Sequence, residues 1–278
     1  MQNLIDYSRK YGSNPELVLC GGGNTSMKEN GVLYVKASGC ALSAVGPENF
    51  VKMDLTRLRS LVKKAYPDSD KEREAMYLAD VAEARLPGEE SKRPSVEALL
   101  HGLFAQRYVL HLHPALVNGL TCGKDGEAMA AKLFPEAIWV NACKPGYTLA
   151  KLLSDKLTPE TDTVLLQNHG VFFAAETPEK LAELLEGMTA KLKACLPGEL
   201  PEELPEADIT RPFTPDHIVY CGIGPELPDT DNARLLYRDA QKITWYSGSF
   251  GGPLPLSEEL VDFITHWEAE SYRKKQSN

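Results

Sequence analysis

The sequence lacks several features that would identify other kinds of protein. It has six cysteines in 278 residues (Cys20, Cys40, Cys122, Cys143, Cys195 and Cys221), with no CxxC pair and no short, regular spacing. That excludes a disulfide miniprotein and a thiolate zinc module, and predicts reduced thiols in or near the core. It has no excess of positive charge: 30 Lys and Arg stand against 39 Asp and Glu, a formal charge of −9. General attraction to nucleic acid or an anionic membrane surface is therefore not expected, and an anionic ligand would need a local pocket. No run approaches the roughly 18 consecutive apolar residues of a membrane span, and the opening MQNLIDYSRKYG has no apolar signal-peptide segment. The expectation is a soluble, cytoplasmic protein. The composition, 43% hydrophobic and 25% charged, is that of a globular chain long enough to bury a large core.

Two nucleotide-binding signatures are also missing. Gly21-Gly22-Gly23-Asn24-Thr25-Ser26 does not fit GxGxxG, because Ser26 stands at the last glycine, and there is no GxxxxGK[ST]. What remains is a loop whose amides, with Asn24, Thr25 and Ser26, form either an anion nest or a simple turn. Apolar Leu17 to Cys20 reads as a strand before it. Val32 to Val35, after the Asn30-Gly31 turn signal, reads as a second strand, and the two together suggest a hairpin.

Farther along, residues 55 to 87 read as two surface helices interrupted at Tyr66-Pro67-Asp68, and Val96 to Gln106 as a helix leading into a strand from Tyr108 to His113. A helix near Ala128 to Leu133, a short strand Ile138 to Val140 and a helix from Tyr147 follow. Thr163 to Gln167 is strand-like and turns through Asn168-His169-Gly170 into Val171 to Phe173. Thr177-Pro178-Glu179 supplies an N-cap, a proline and a first-turn acid to a helix running to about Cys195. Residues 196 to 215, rich in proline and glutamate, read as a linker or surface strap. Ser257 opens an amphipathic helix with Leu260, Ile264 and Trp267 on one stripe and Arg273, Lys274 and Lys275 toward its end.

The residue types with most chemical meaning are histidines. Strand residues two apart share a face, so His111 and His113 can grip one cation or can be a pair of half-buried, hydrogen-bonded rings. His169, in a polar turn between apolar strands, is displayed at a sheet end and would complete a three-nitrogen set with an open coordination position. Glu97 opens a helix, where the dipole favours a carboxylate in any case. His101, one turn on, either bonds to Glu97 or faces solvent. Ser38-Gly39 and Pro94-Ser95 are small hydroxyl-bearing turns that could help hold a phosphate if they converged.

In order, GGGNTS, KASG, PSVE with His101 four residues after Glu97, HLHP and QNHG resemble the class II aldolase/adducin family. WVNACKPGYTLAKLL and RPSVEALLHGLF are further similar to the aldolase portion of bifunctional rhamnulose-phosphate aldolase/lactaldehyde dehydrogenases, although no dinucleotide fingerprint for the second activity is present. The resemblance implies a three-layer α/β/α domain around a mainly antiparallel sheet. Three segments are expected: a catalytic domain over residues 1–195, the linker over 196–215 and a C-terminal extension over 216–278. It also implies a homotetramer acting on a small phosphorylated sugar. By the same resemblance His111, His113 and His169 would bind Zn²⁺ or another divalent metal, and Glu97 would be the catalytic acid/base. Gly23, Asn24, Ser38, Gly39 and Ser95 would hold the substrate phosphate.

The activity so implied is cleavage of a ketose 1-phosphate of the fuculose or rhamnulose type to dihydroxyacetone phosphate and an aldehyde, through a metal-bound enediolate. Related dehydratase and epimerase activities, or a non-catalytic adducin-head-like module, are the alternatives. Two departures from the family pattern stand out. Ser95-Val96 replaces two consecutive serines before the glutamate, and the proton-donor tyrosine is unplaced, with Tyr147, Tyr220 and Tyr237 as the unaligned choices.

Overall fold

The computed structural model describes residues 1–270 and Tyr272. At its centre is one seven-stranded sheet, β1 (Asn24–Glu29), β2 (Val32–Lys36), β3 (Phe50–Asp54), β4 (Tyr108–Leu112), β5 (Ile138–Val140), β6 (Thr163–Leu166) and β7 (Gly170–Ala175). The order across it is β3-β2-β1-β4-β7-β6-β5, antiparallel throughout except for the parallel edge pair β5–β6.

Alternation along the strands sorts side chains into two apolar layers. On β4, Tyr108, Leu110 and Leu112 join a core with residues of α1 (Gln2–Gly12), the short α5 (Ala115–Thr121), α6 (Gly126–Leu133) and α8 (Pro178–Lys193). Val109 faces the other way, with residues of α2 (Leu55–Ser60), α3 (Asp70–Glu83), α4 (Ala98–Leu103) and α7 (Tyr147–Ser154). Helices therefore cover both faces, and the expected three-layer α/β/α architecture with its mainly antiparallel sheet is present. Thr177 caps α8 as its sequence indicates, its hydroxyl accepting from the Lys180 amide.

The first hairpin differs from expectation. Asn30-Gly31 does make the turn, with both residues at positive φ, but the strand before it is β1, while Leu17 to Cys20 is irregular. β1 is flanked by β2 and β4, so no sheet edge is left for residues 17–20. Leu19 and Cys20 instead pack against Val219, Tyr220, Cys221 and Leu236. The polar sequence of β1 hides its strand character, because its buried hydroxyls bond inside the protein: Thr25 Oγ1 lies 2.7 Å from Ser8 Oγ.

Beyond residue 195 the chain runs irregularly to α9 (Pro215–Cys221), then α10 (Asp231–Ser247) and α11 (Glu258–His266). Periodicity does not announce α9, all of whose residues are buried. Ile243 and Ala240 of α10 close a small core with Ala115 and Cys122 at α5. α11 starts as its pattern indicates, with Ser257 accepting from the Leu260 amide, but it ends at His266, short of the expected stripe, with Trp267 as an extended C-cap; Leu260, Ile264 and Trp267 are all buried. Arg273, Lys274 and Lys275 lie outside the described residues. No helix among the described residues is long and apolar enough to cross a membrane.

Candidate functional site

His111 is the fourth residue of β4, and His113 follows the strand's last residue, so the period of two turns both rings to one face of the sheet. The ring of His111 stacks on Phe172 of β7, centroids 4.0 Å apart and planes at 14°. Its Nδ1 donates to the Val171 carbonyl at 3.0 Å, and Nδ1 of His113 donates to Asp216 Oδ2 at 2.6 Å. A carbonyl and a carboxylate only accept, so in each ring the proton sits on Nδ1 and the lone pair on Nε2. The two Nε2 atoms are 2.9 Å apart.

His169 completes the group from the β6–β7 turn. Asn168 takes φ 57°, a left-handed conformation that asparagine tolerates, and this tight turn swings His169 back over β4. Gly170 permits the approach, since a Cβ there would lie 2.7 Å from His113 Cδ2 and would collide with the Leu112 carbonyl oxygen. The Asn168 side chain anchors the turn by donating to the carbonyls of Phe213 (3.1 Å) and Leu254 (2.7 Å). Burial pushes the His169 imidazole down to about 3, against the opposing pull of Glu97, so the ring is neutral at physiological pH.

One ligand atom from each of His111, His113 and His169 falls within 4.8 Å of the others. Glu97 closes the cluster, its Oε1 3.3 Å from His111 Nε2 and 3.5 Å from His169 Nε2. That oxygen is buried and makes no hydrogen bond among the described residues. Imidazole lone pairs and a buried carboxylate oxygen directed at one point repel one another unless a cation lies between them, and neutral imidazoles with carboxylate suit a divalent transition metal. The residues present therefore fit a metal ion.

The other oxygen of Glu97 is held by a relay. Ser26 Oγ lies 2.8 Å from His101 Nδ1, His101 Nε2 bonds to Asn24 Oδ1, and Asn24 Nδ2 donates to Glu97 Oε2 at 2.6 Å. His101 is fully buried, and burial holds its pKa well below that of a free imidazole. Its ring neither faces solvent nor bonds to the Glu97 carboxylate but orients it through Asn24, while its backbone amide donates to the Glu97 carbonyl at 3.1 Å. Ser26 and Thr25 are likewise interior groups and not part of an anion nest.

Gly23, Asn24, Ser38, Gly39, Ser95, Glu97, His113 and His169 line one cavity, and His111 forms the layer behind it with no exposed surface. Asn24 is at the wall, but its amide is engaged with Glu97 and His101. Pro145, Pro215 and Ala269 also line the cavity, as do two charged residues that the sequence does not assign to the site: Lys36, 3% exposed at the end of β2, and Glu270. Lys36 carried a signal in hindsight, a lysine closing an otherwise apolar strand. Asp216 also went unread, although Thr214-Pro215-Asp216 repeats the helix-start pattern of Thr177-Pro178-Glu179. Tyr147, Tyr220 and Tyr237 do not line the cavity; Tyr147 bonds to the Lys64 carbonyl, and Tyr220 accepts from the Gly21 amide at 3.1 Å.

A sequence model of the class II aldolase and adducin N-terminal domain matches residues 2–195. The chain belongs to the class II aldolase and adducin family. Among relatives of this class II aldolase-family chain is an uncharacterized oxidoreductase, YuxG, of Bacillus subtilis (strain 168), 30% identical over 192 residues. The match takes in 64% of this chain and 27% of that protein, so the chain spans about a quarter of its curated relative's length. The N-terminal class II aldolase domain of a conserved protein from Thermoplasma acidophilum is similar in structure, with 25% identity and a TM-score of 0.61 over 69% of this chain and 91% of that one. An L-fuculose-1-phosphate aldolase from Thermus thermophilus is similar at 19% identity and a TM-score of 0.45, covering 69% and 91% respectively.

Proposed function

We propose that the protein is a zinc-dependent aldolase that cleaves a ketose 1-phosphate of the fuculose or rhamnulose type into dihydroxyacetone phosphate and an aldehyde. The observation that carries this reading is the convergence of His111, His113 and His169 on one point at the floor of a cavity, with Glu97 Oε1 beside them. Bound there, the metal would polarise the oxygens of the ketose and stabilise the negative charge released by carbon–carbon cleavage.

The chain's own residues account for the rest. Cleavage turns a substrate hydroxyl into the aldehyde carbonyl with loss of its proton, and the electron pair of the broken bond stays with the ketone fragment. Glu97 is the group that accepts the hydroxyl proton and returns a proton to that carbon, so none is gained or lost overall. Holding Oε2 on Asn24 leaves Oε1 aimed into the site, so the carboxylate needs no rearrangement to act.

Gly23, Ser38, Gly39 and Ser95 line the same cavity and would hold the phosphate there. Lys36 stands in the same wall and adds positive charge where Val96 withholds the second hydroxyl of the family pattern, which favours a phosphorylated substrate. The same reading carries a homotetrameric, cytoplasmic enzyme, testable by light scattering and cell fractionation. For the activity itself, metal analysis of the purified protein would precede an aldehyde-release assay over a panel of ketose phosphates. Turnover that survives complete chelation would refute the assignment.

A further inference from the structure

The family match ends at residue 195, yet the carboxylate that fixes the tautomer of His113 belongs to α9, beyond that limit. Asp216 is 3% exposed, and its Oδ2 accepts a hydrogen bond from Nδ1 of His113 at 2.6 Å. A hydrogen-bonded carboxylate behind an imidazole locks the ring's orientation and raises the basicity of the opposite nitrogen.

Two further features show that the contact is built into the fold. Gly22 supplies the space: a Cβ there would sit 2.9 Å from Asp216 Oδ2 and 3.2 Å from His113 Nδ1, so any side chain would press on the pair. One turn farther along α9, the Tyr220 hydroxyl accepts from the amide of Gly21 at 3.1 Å, so the same helix also holds the loop that carries Gly22. The backbone amide of His113, meanwhile, donates to the Leu17 carbonyl just before that loop.

We propose that Asp216 is a positioning residue for the metal centre, and that the C-terminal segment thereby sets how tightly the site holds its cation. This rests on the assignment of His113 as a metal ligand. The segment is then part of the metal site itself and not an appendage to a finished domain.

The test is a chelator-competition titration of the full chain with Zn²⁺, with thermal unfolding of the metal-free protein measured alongside. Asp216→Asn keeps the shape but gives His113 a neutral partner; it should weaken zinc binding about 10- to 100-fold. Gly22→Ala, which keeps the carboxylate but crowds it off His113, should weaken binding in the same direction. Asp216→Glu should recover part of the loss. Zinc affinities of Asp216→Asn and Gly22→Ala within twofold of the parent would overturn the proposal. So would a loss of affinity only in variants whose metal-free form is already unfolded at the assay temperature. If the parent chain itself binds no zinc, the metal assignment falls first, and this inference with it.

Discussion

The floor and the rim of the cavity are made differently. At the floor, His111, His113 and Glu97 are buried, and each is held by a second partner, respectively the Val171 carbonyl, Asp216 and Asn24. At the rim, Ser38 and Gly39 lie on a half-buried loop after β2 and contribute chiefly main-chain and hydroxyl groups. A floor of this kind fixes atoms to the tolerance that bond breaking requires, whereas a rim of loops needs only to hold a charged group at a distance. Damage to the first should appear in kcat, damage to the second in KM.

The largest effect is expected at the floor. On the proposed function, His113→Ala should lose stoichiometric zinc, and its turnover should fall by about a thousandfold or more, since a bound metal would contribute several kcal/mol of charge stabilisation. Elemental analysis and the aldehyde-release assay check this together. Glu97→Gln comes next, with kcat lower by about 10²- to 10⁴-fold and zinc content unchanged. A Glu97→Gln enzyme with full kcat would remove the carboxylate from the mechanism.

Variants at the rim, and at Lys36 in the buried wall that leads to it, should behave in the opposite way. Lys36→Met removes a charged donor and should raise KM for a phosphorylated ketose by about 10- to 100-fold. The same variant should leave an unphosphorylated analogue nearly unaffected, and steady-state kinetics on the two substrates makes the distinction. Ser38→Ala, the mildest change, should raise KM only about 2- to 10-fold with kcat retained. If Lys36→Met instead lowered kcat with KM constant, the division between floor and rim would be wrong.

How much of this the sequence discloses depends on how local the signal is. His111 and His113 can be read because strand period alone puts them on one face, and His169 because a polar turn between apolar strands displays its side chain. The helix starting at Thr177 is legible from three adjacent residues. β1 is not, since its burial depends on partners such as Ser8 and His101 that are distant in sequence, and its polar residues imitate a loop. Asp216 is the extreme case. Its meaning comes from His113, 103 residues away, and the helix that carries it is buried all round, so it shows no amphipathic stripe. Motif order brings out the family and most of the cavity wall, while the groups that orient the wall emerge only when the chain is folded.

Asn168 ties the His169 turn to the main chain at Phe213 and Leu254, not to their side chains. Every residue type offers a carbonyl oxygen, so replacing either side chain leaves the acceptor in the sequence. The link thus follows the path of the main chain at Phe213 and Leu254 and not the identity of the residues there, unlike the nearby contact of Asp216, which needs its own side chain.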